Sequence, residues 1–275
     1  MSLFGSYING NFSWRKKHGE PANRRQLFLC VLSDQLFSFT PVNLLYILFW
    51  IPTVIWLGVC ILQVASGEKL GSVLQNVQFM NEAVLGLIPC LAITGLGRVG
   101  MAQVMRSWAS EDYLPAFPLF FRGIRENWKP ALLFSCLTAC IPAAVWYAYL
   151  TIMQAGASGL MQVLFVLACI AFFVIFLLQQ VLYGLLVRYE LSLRGHVRNA
   201  LILTLLHLPA AVLVRLGVSF FLLLYVLFCL VHTGGIYAYL IIPFLYYILL
   251  GGAVTELAFS CFTDFLCSRH MTAEQ

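Results

Sequence analysis

Hydrophobic residues in this chain fall in long charge-free runs rather than in stripes. Residues 35–67, 130–187 and 216–255 contain no Asp, Glu, Lys or Arg. A helix crosses a hydrocarbon core of roughly 30 Å with about 20 residues. The middle run, 58 residues long, must therefore hold two crossings, and the Gly-rich stretch at residues 153–159 is the natural turn between them. The pattern predicts six spans, at about residues 42–63, 83–105, 130–151, 160–187, 208–231 and 236–259.

The polar intervals divide the rest. Residues 1–23 form a Gly/Asn/Ser-punctuated tail. Residues 24–40 carry Leu27, Phe28, Val31, Leu32, Gln35 and Leu36 at helical spacing, which suits a short helix lying in the interface with its arginines toward headgroups. A plain extension of span 1 is the alternative. Pro52 falls mid-span and should kink span 1, and residues 66–82 read as a loop. Only 16 residues separate Leu216 from the turn at His232, too few for a crossing. Span 5 then starts near Leu208-Pro209, and residues 192–207 become a second interfacial helix; one long tilted helix from Asn199 is the competing reading. The expected organisation is a tail at 1–23, a transmembrane bundle at 24–265 and a tail at 266–275.

Composition supports this reading. The chain is 61% hydrophobic and 10% charged, against about 25% charged for an ordinary soluble domain. The fold class expected is all-α: a polytopic membrane helix bundle with short interfacial helices. Nine cysteines suggest no framework, because those in apolar runs (Cys60, Cys90, Cys136, Cys140, Cys169 and Cys229) form no C-x-x-C pair and no histidine lies at metal spacing. They read as small buried hydrophobes. Basic residues precede an apolar run too long for a signal-peptide core, so the first span is expected to remain as an anchor.

Charge then sets orientation. With six spans, Arg15, Lys16, Lys17, Arg24, Arg25, Arg106, Arg122, Arg125, Lys129, Arg188, Arg194, Arg198 and Arg269 lie in segments on one side, and only Lys69 on the other. The positive-inside rule places both termini in the cytoplasm. The net charge of +5 is thus an orientation signal suited to an anionic inner leaflet, and nucleic-acid binding is not implied.

Candidate chemistry is sparse. Gly95-Leu96-Gly97-Arg98-Val99-Gly100 spells G-x-G-x-x-G, but a dinucleotide loop needs a βαβ unit around it. Gly95, Gly97 and Gly100 are better read as small residues that let one helix approach another. Ionisable residues at membrane depth are functional candidates, since each costs about 2.5–3.5 kcal/mol at a helix centre. Arg98, Arg215 and Glu256 are such residues, and Glu256 is a candidate partner for Arg98 or Arg215. Separate side chains reaching the inner interface are the alternative. Phe117, Phe120, Phe121 and Trp128, interleaved with Arg122, Arg125, Asn127 and Lys129, form a candidate cytoplasmic docking or interfacial patch. His207 is a weaker candidate for a proton relay, and Glu111-Asp112 for an acid pair. No Ser/His/Asp, Cys/His or H-E-x-x-H constellation occurs, so no enzyme activity, cofactor or metal is expected.

The segment at residues 43–52 (NLLYILFWIP), residues 89–100 with Met105-Arg106-Ser107-Trp108-Ala109, residues 117–129, and Arg198-Asn199-Ala200-Leu201 leading to Leu206-His207-Leu208-Pro209 resemble the YesL-like family of bacterial membrane proteins. The resemblance spans roughly residues 24–265 and is strongest at 89–130. Residues 56–87 look like an insertion relative to the family. The resemblance implies a multi-span bundle of uncharacterised biochemical role, associated with carbohydrate uptake and degradation in Gram-positive bacteria, and it supplies no catalytic residues. Two functions follow as expectations: an accessory or regulatory component of a bacterial carbohydrate-uptake system, or a small-solute transporter in its own right. The lipid bilayer is the expected partner in either case, and subunits of a sugar transporter are the candidate protein partners in the first.

Overall fold

A computed structural model describes residues 24–65, 77–109, 115–155, 159–231 and 245–270, and the described residues are helical apart from short breaks. In chain order the helices are α1 (Arg24–Asp34), α2 (Leu36–Leu48), α3 (Ile51–Ala65), α4 (Val77–Ala109), α5 (Ala116–Ala139), α6 (Ile141–Ala155), α7 (Gly159–Leu186), α8 (Leu193–Leu206), α9 (Leu208–Val231), a π-turn (Tyr247–Gly251) and α10 (Gly252–His270). Four stretches, Val77–Ala109, Ala116–Ile152, Gln162–Leu186 and Tyr247–His270, are long and apolar enough to cross a membrane, and the number rises to six if each of two sharply bent helix pairs is one span. The fold is an all-α helix bundle.

Several boundaries differ from the expectation. The predicted helix over residues 24–40 breaks at Gln35, where α1 turns by 89° into α2. Span 1 is no single helix kinked at Pro52. It breaks at Phe49-Trp50, and Pro52 sits in the first turn of α3, where a missing N–H costs nothing. Residues 77–82, expected in a loop, are the first turns of α4, whose 33 residues reach about 50 Å. The Phe/Arg-rich segment left between spans 2 and 3 is already α5. Pro130 lies inside that helix, and the strain appears at Asn127, whose φ of −122° and ψ of 15° leave the helical region. Proline has no N–H for the carbonyl four residues back and its ring crowds that carbonyl. The Asn127 amide donates to the Gly123 carbonyl at 3.3 Å across the bend. At the C-terminus α10 continues to His270, and Leu266 and Cys267 are buried in the core, so residues 266–270 belong to the bundle rather than to a tail. By contrast, the 91° corner between α8 and α9 at His207 lies where Leu208-Pro209 was expected to begin span 5.

Helix α4 is the axis of the bundle. Helices α2 and α3 run antiparallel along it: Phe39 meets Trp108 edge-on at 5.3 Å, Phe49 covers Gly97, and Trp56 lies over Gly86 while its indole N–H donates to the Ala83 carbonyl at 2.9 Å. Helix α5 packs along the other side of α4 in the most extensive contact of the described residues. A Cβ on Gly95 would fall 2.4 Å from the Ser135 Cβ, and one on Gly100 would fall 3.0 Å from the Phe120 carbonyl oxygen. All three glycines of the G-x-G-x-x-G string therefore face a neighbouring helix at close approach, as small residues do in membrane bundles. The Ser135 hydroxyl adds a bond to the Leu91 carbonyl at 2.9 Å.

Burial is uneven along the helices. One core gathers Leu178, Val181, Leu182, Leu185 and Leu186 of α7 with Leu203, Ala211, Phe262 and Leu266, and a second gathers Phe39, Val42, Met101, Met105, Phe120 and Leu257. Both lie toward the same end of the bundle. In α7 the first half, including Leu160, Val163, Leu167 and Phe173, is exposed, as are Leu213, Leu216 and Phe220 of α9 and Ile55, Ile61 and Leu62 of α3. Water would not tolerate so large an apolar surface on a monomer; a hydrocarbon surround does.

Candidate functional site

The polar residues of α10 recur as Glu256, Ser260, Thr263 and Asp264, at i, i+4, i+7 and i+8, so they line one face of the helix. That face turns inward. The first residue reaches α4: Arg98 Nε donates to Glu256 Oε1 at 3.1 Å, with both side chains almost fully buried. A second guanidinium nitrogen of Arg98 donates to Gln179 Oε1 of α7 at 2.7 Å, and the Arg98 Cζ lies 4.9 Å from the Tyr183 ring centroid. One arginine thus ties α4 to α10 and to two successive turns of α7. Charge-assisted bonds of this kind are about twice as strong as neutral ones, and here they are shielded from water.

Arg215 stands apart from this pair. It sits on α9, and its Cζ lies 3.6 Å from the Phe176 ring centroid and 5.3 Å from that of Phe259. Its buried Nε has no hydrogen-bond partner among the described residues. Of the two cations that could have taken Glu256, the fold pairs Arg98.

Lower on the same face, Arg188 bonds the Ser260 carbonyl at 3.1 Å and approaches Asp264 Oδ1 at 3.2 Å, and the Thr263 hydroxyl donates to the Phe259 carbonyl at 2.8 Å. Arg106 donates to the Val187 carbonyl. These two arginines count as loop cations in the sequence, yet they clamp the end of α7 to α10 and α4. Gln180 donates to the Ala211 carbonyl at 3.1 Å, joining α7 to α9.

Above Glu256 the helix is irregular. A π-turn displaces backbone groups from their usual partners, and Asn43 of α2, fully buried, takes them up. Its amide nitrogen donates to the Tyr247 and Ile248 carbonyls at 2.8 and 2.6 Å, while its Oδ1 accepts the Ala253 N–H at 2.9 Å. Asn43 is a lone amide in an apolar segment; that its partner is a π-turn is legible only in the fold. Gln179 and Tyr183 escaped notice. The signal available was the Gln179-Gln180 pair, an amide doublet inside an otherwise apolar run.

The aromatic and basic patch is divided by its helix. Phe117, Phe121, Arg122, Arg125, Trp128 and Lys129 are exposed on α5, but Phe120 is completely buried against Phe49 and Gly100. Phe120 is therefore a packing residue and not part of a docking face, and Asn127 is the residue of the bend. Helical periodicity decides this: Phe117, Phe121 and Trp128 form one stripe, Arg122, Arg125 and Lys129 the next, and Phe120 projects the other way. Arg122 pairs with Glu126 at 2.8 Å on the surface, where solvent screens the contact. His207, at the corner between α8 and α9, has its Nε2 2.7 Å from His270 Nε2. Glu111 and Asp112 lie outside the described residues.

These features define a class: a bundle of apolar helices in which Arg98–Glu256 and Arg188–Asp264 are paired across helices while Arg215 is not. No family model, curated protein or solved structure matches the chain.

Proposed function

We propose that this protein is an accessory or regulatory component of a carbohydrate-uptake system in a bacterial cytoplasmic membrane, with both termini in the cytoplasm. The observation that carries the accessory reading is the outward face of α5. There Phe117, Phe121 and Trp128 stand exposed beside Arg122, Arg125 and Lys129. An aromatic stripe flanked by cations binds at a membrane–water boundary and supplies anchors for a second protein. The charge count across the spans supports the orientation, and the resemblance at residues 89–130 supports the carbohydrate context. Crosslinking and affinity capture from native membranes, during growth on different glycans, should recover permease subunits with the wild-type protein. Recovery should fall when Phe121, Arg125 and Trp128 are replaced by Ala. Equal recovery from that triple variant removes α5 as the docking face.

A second reading, a small-solute transporter, is favoured by one feature: Arg98 and Glu256 lie beside an interrupted helix. Transporters build their sites at such interruptions. Purified protein in sealed liposomes that accumulates a labelled sugar or sugar phosphate without any other protein would replace the first reading with this one.

A further inference from the structure

We infer that Arg215 is a recognition point for a phosphate-type oxyanion on the lipid-facing side of the contact between α7 and α9. The argument is independent of either reading above. Of the three ionisable residues expected at membrane depth, Glu256 is committed to Arg98, and Arg98 is itself bonded twice. The trio keeps one positive charge in excess, and that charge resides on Arg215. Its guanidinium lies over the Phe176 ring, with Phe259 on a second side. No ion pair or hydrogen bond engages it among the described residues, and its Nε is buried without an acceptor. The two rings hold the plane of the guanidinium and offer no oxygen. A guanidinium so held keeps its fork of donors available, and that fork matches the oxygens of a phosphate in bidentate fashion.

Position favours access. Arg215 lies eight residues beyond the corner at His207, about 12 Å along α9. Phe176 is about one-third exposed, and its neighbour Phe172, stacked on it with ring centroids 6.2 Å apart, is equally open. The rings beside Arg215 are therefore open toward lipid. Two sources can supply the oxyanion there: the headgroup phosphate of an anionic lipid, or a free phosphate or phosphorylated solute entering from the aqueous face.

The experiment separates the sources. Wild-type protein is reconstituted in nanodiscs of phosphatidylcholine alone or of phosphatidylcholine with phosphatidylglycerol, released, and examined for retained lipid by native mass spectrometry. In parallel, its thermal midpoint in phosphatidylcholine nanodiscs is measured with and without inorganic phosphate, at constant ionic strength. Retention of phosphatidylglycerol that drops about tenfold or more in Arg215→Gln, and only partly in Arg215→Lys, identifies a lipid phosphate. A phosphate-dependent rise in the thermal midpoint that disappears in Arg215→Gln identifies a soluble oxyanion. Arg194→Gln, exposed in the first turn of α8, should leave both readouts unchanged. If Arg215→Gln fails to fold, the lysine variant and the wild-type titrations still decide. Wild-type protein that neither retains phosphatidylglycerol over phosphatidylcholine nor responds to phosphate overturns the inference. So does a response equal in wild type and both Arg215 variants.

Discussion

Arg98 and Glu256 illustrate why a buried charge is judged by its partners. Desolvating either ion alone costs several kcal/mol, and mutual attraction in a low dielectric offsets that cost only when the remaining donors are also bonded. Arg98 meets this condition through Gln179. Glu256→Ala, which leaves Arg98 with the glutamine alone, should destabilise the protein by about 3–5 kcal/mol. The apolar double variant Arg98→Met with Glu256→Leu should recover more than half of that loss. Thermal unfolding in detergent reads both, and a double variant no better than the single one would show that the pair contributes more than charge compensation. A second expectation concerns His207, at the corner outside the spanning helices. Partial burial, then the neighbouring His270 and Arg269, hold its imidazole below the ordinary histidine range. A base whose folded pKa is lowered binds fewer protons folded than free, so stability falls as pH drops through its unfolded value of about 6.5. The contact with His270 also needs one neutral ring, since two imidazolium ions repel. Protection against hydrogen exchange at residues 208–212, after correction for the base-catalysed intrinsic dependence on pH, should therefore fall between pH 7.5 and 5.5, and His207→Phe should flatten that fall.

At the scale of elements, the irregular pieces are each held by a named group. The π-turn persists because Asn43 satisfies two carbonyls and one N–H at once. With no water in hydrocarbon to replace them, each orphaned group is costly. Asn43→Ala should lower stability by about 2 kcal/mol or more and speed exchange specifically across residues 247–253. Unchanged exchange there, with only a global loss, would mean the turn is set by its own sequence. The G-x-G-x-x-G string shows what was legible at this scale. Its residue type announced close packing, and the fold supplied the neighbours: Ser135, Phe49 and Phe120. The docking patch shows what was not. Its eight residues fell in the polar interval between predicted spans 2 and 3, because nothing local declares that Pro130 lies inside a helix. Once α5 forms, its period sends Phe120 inward while Phe117, Phe121 and Trp128 stay outside.

For the molecule as a whole, packing is concentrated at the end where Arg106, Arg188 and the α8–α9 corner meet α10. The outer halves of α3 and α7 present apolar side chains to their surroundings. This distribution, with the lopsided count of cations, leads to one topological expectation. A reporter fused after Leu160 should be active only outside the cytoplasm, and one fused after Leu191 only inside. Both reporters on one side would remove α7 as a crossing.

Sequence by itself determined that the chain is a helix bundle of apolar segments, because a run of uncharged residues longer than a helical crossing has few other stable forms. It also marked which ionisable residues lie at depth and where α9 begins, since insertion cost and proline chemistry are local properties. Tertiary structure alone decided that Glu256 meets Arg98 and leaves Arg215 to its aromatic rings. It alone seated Asn43 on a π-turn and turned Phe120 into the core. Each of these depends on how distant helices are rotated and set against one another, and an apolar background carries almost no periodic signal to fix that rotation in advance.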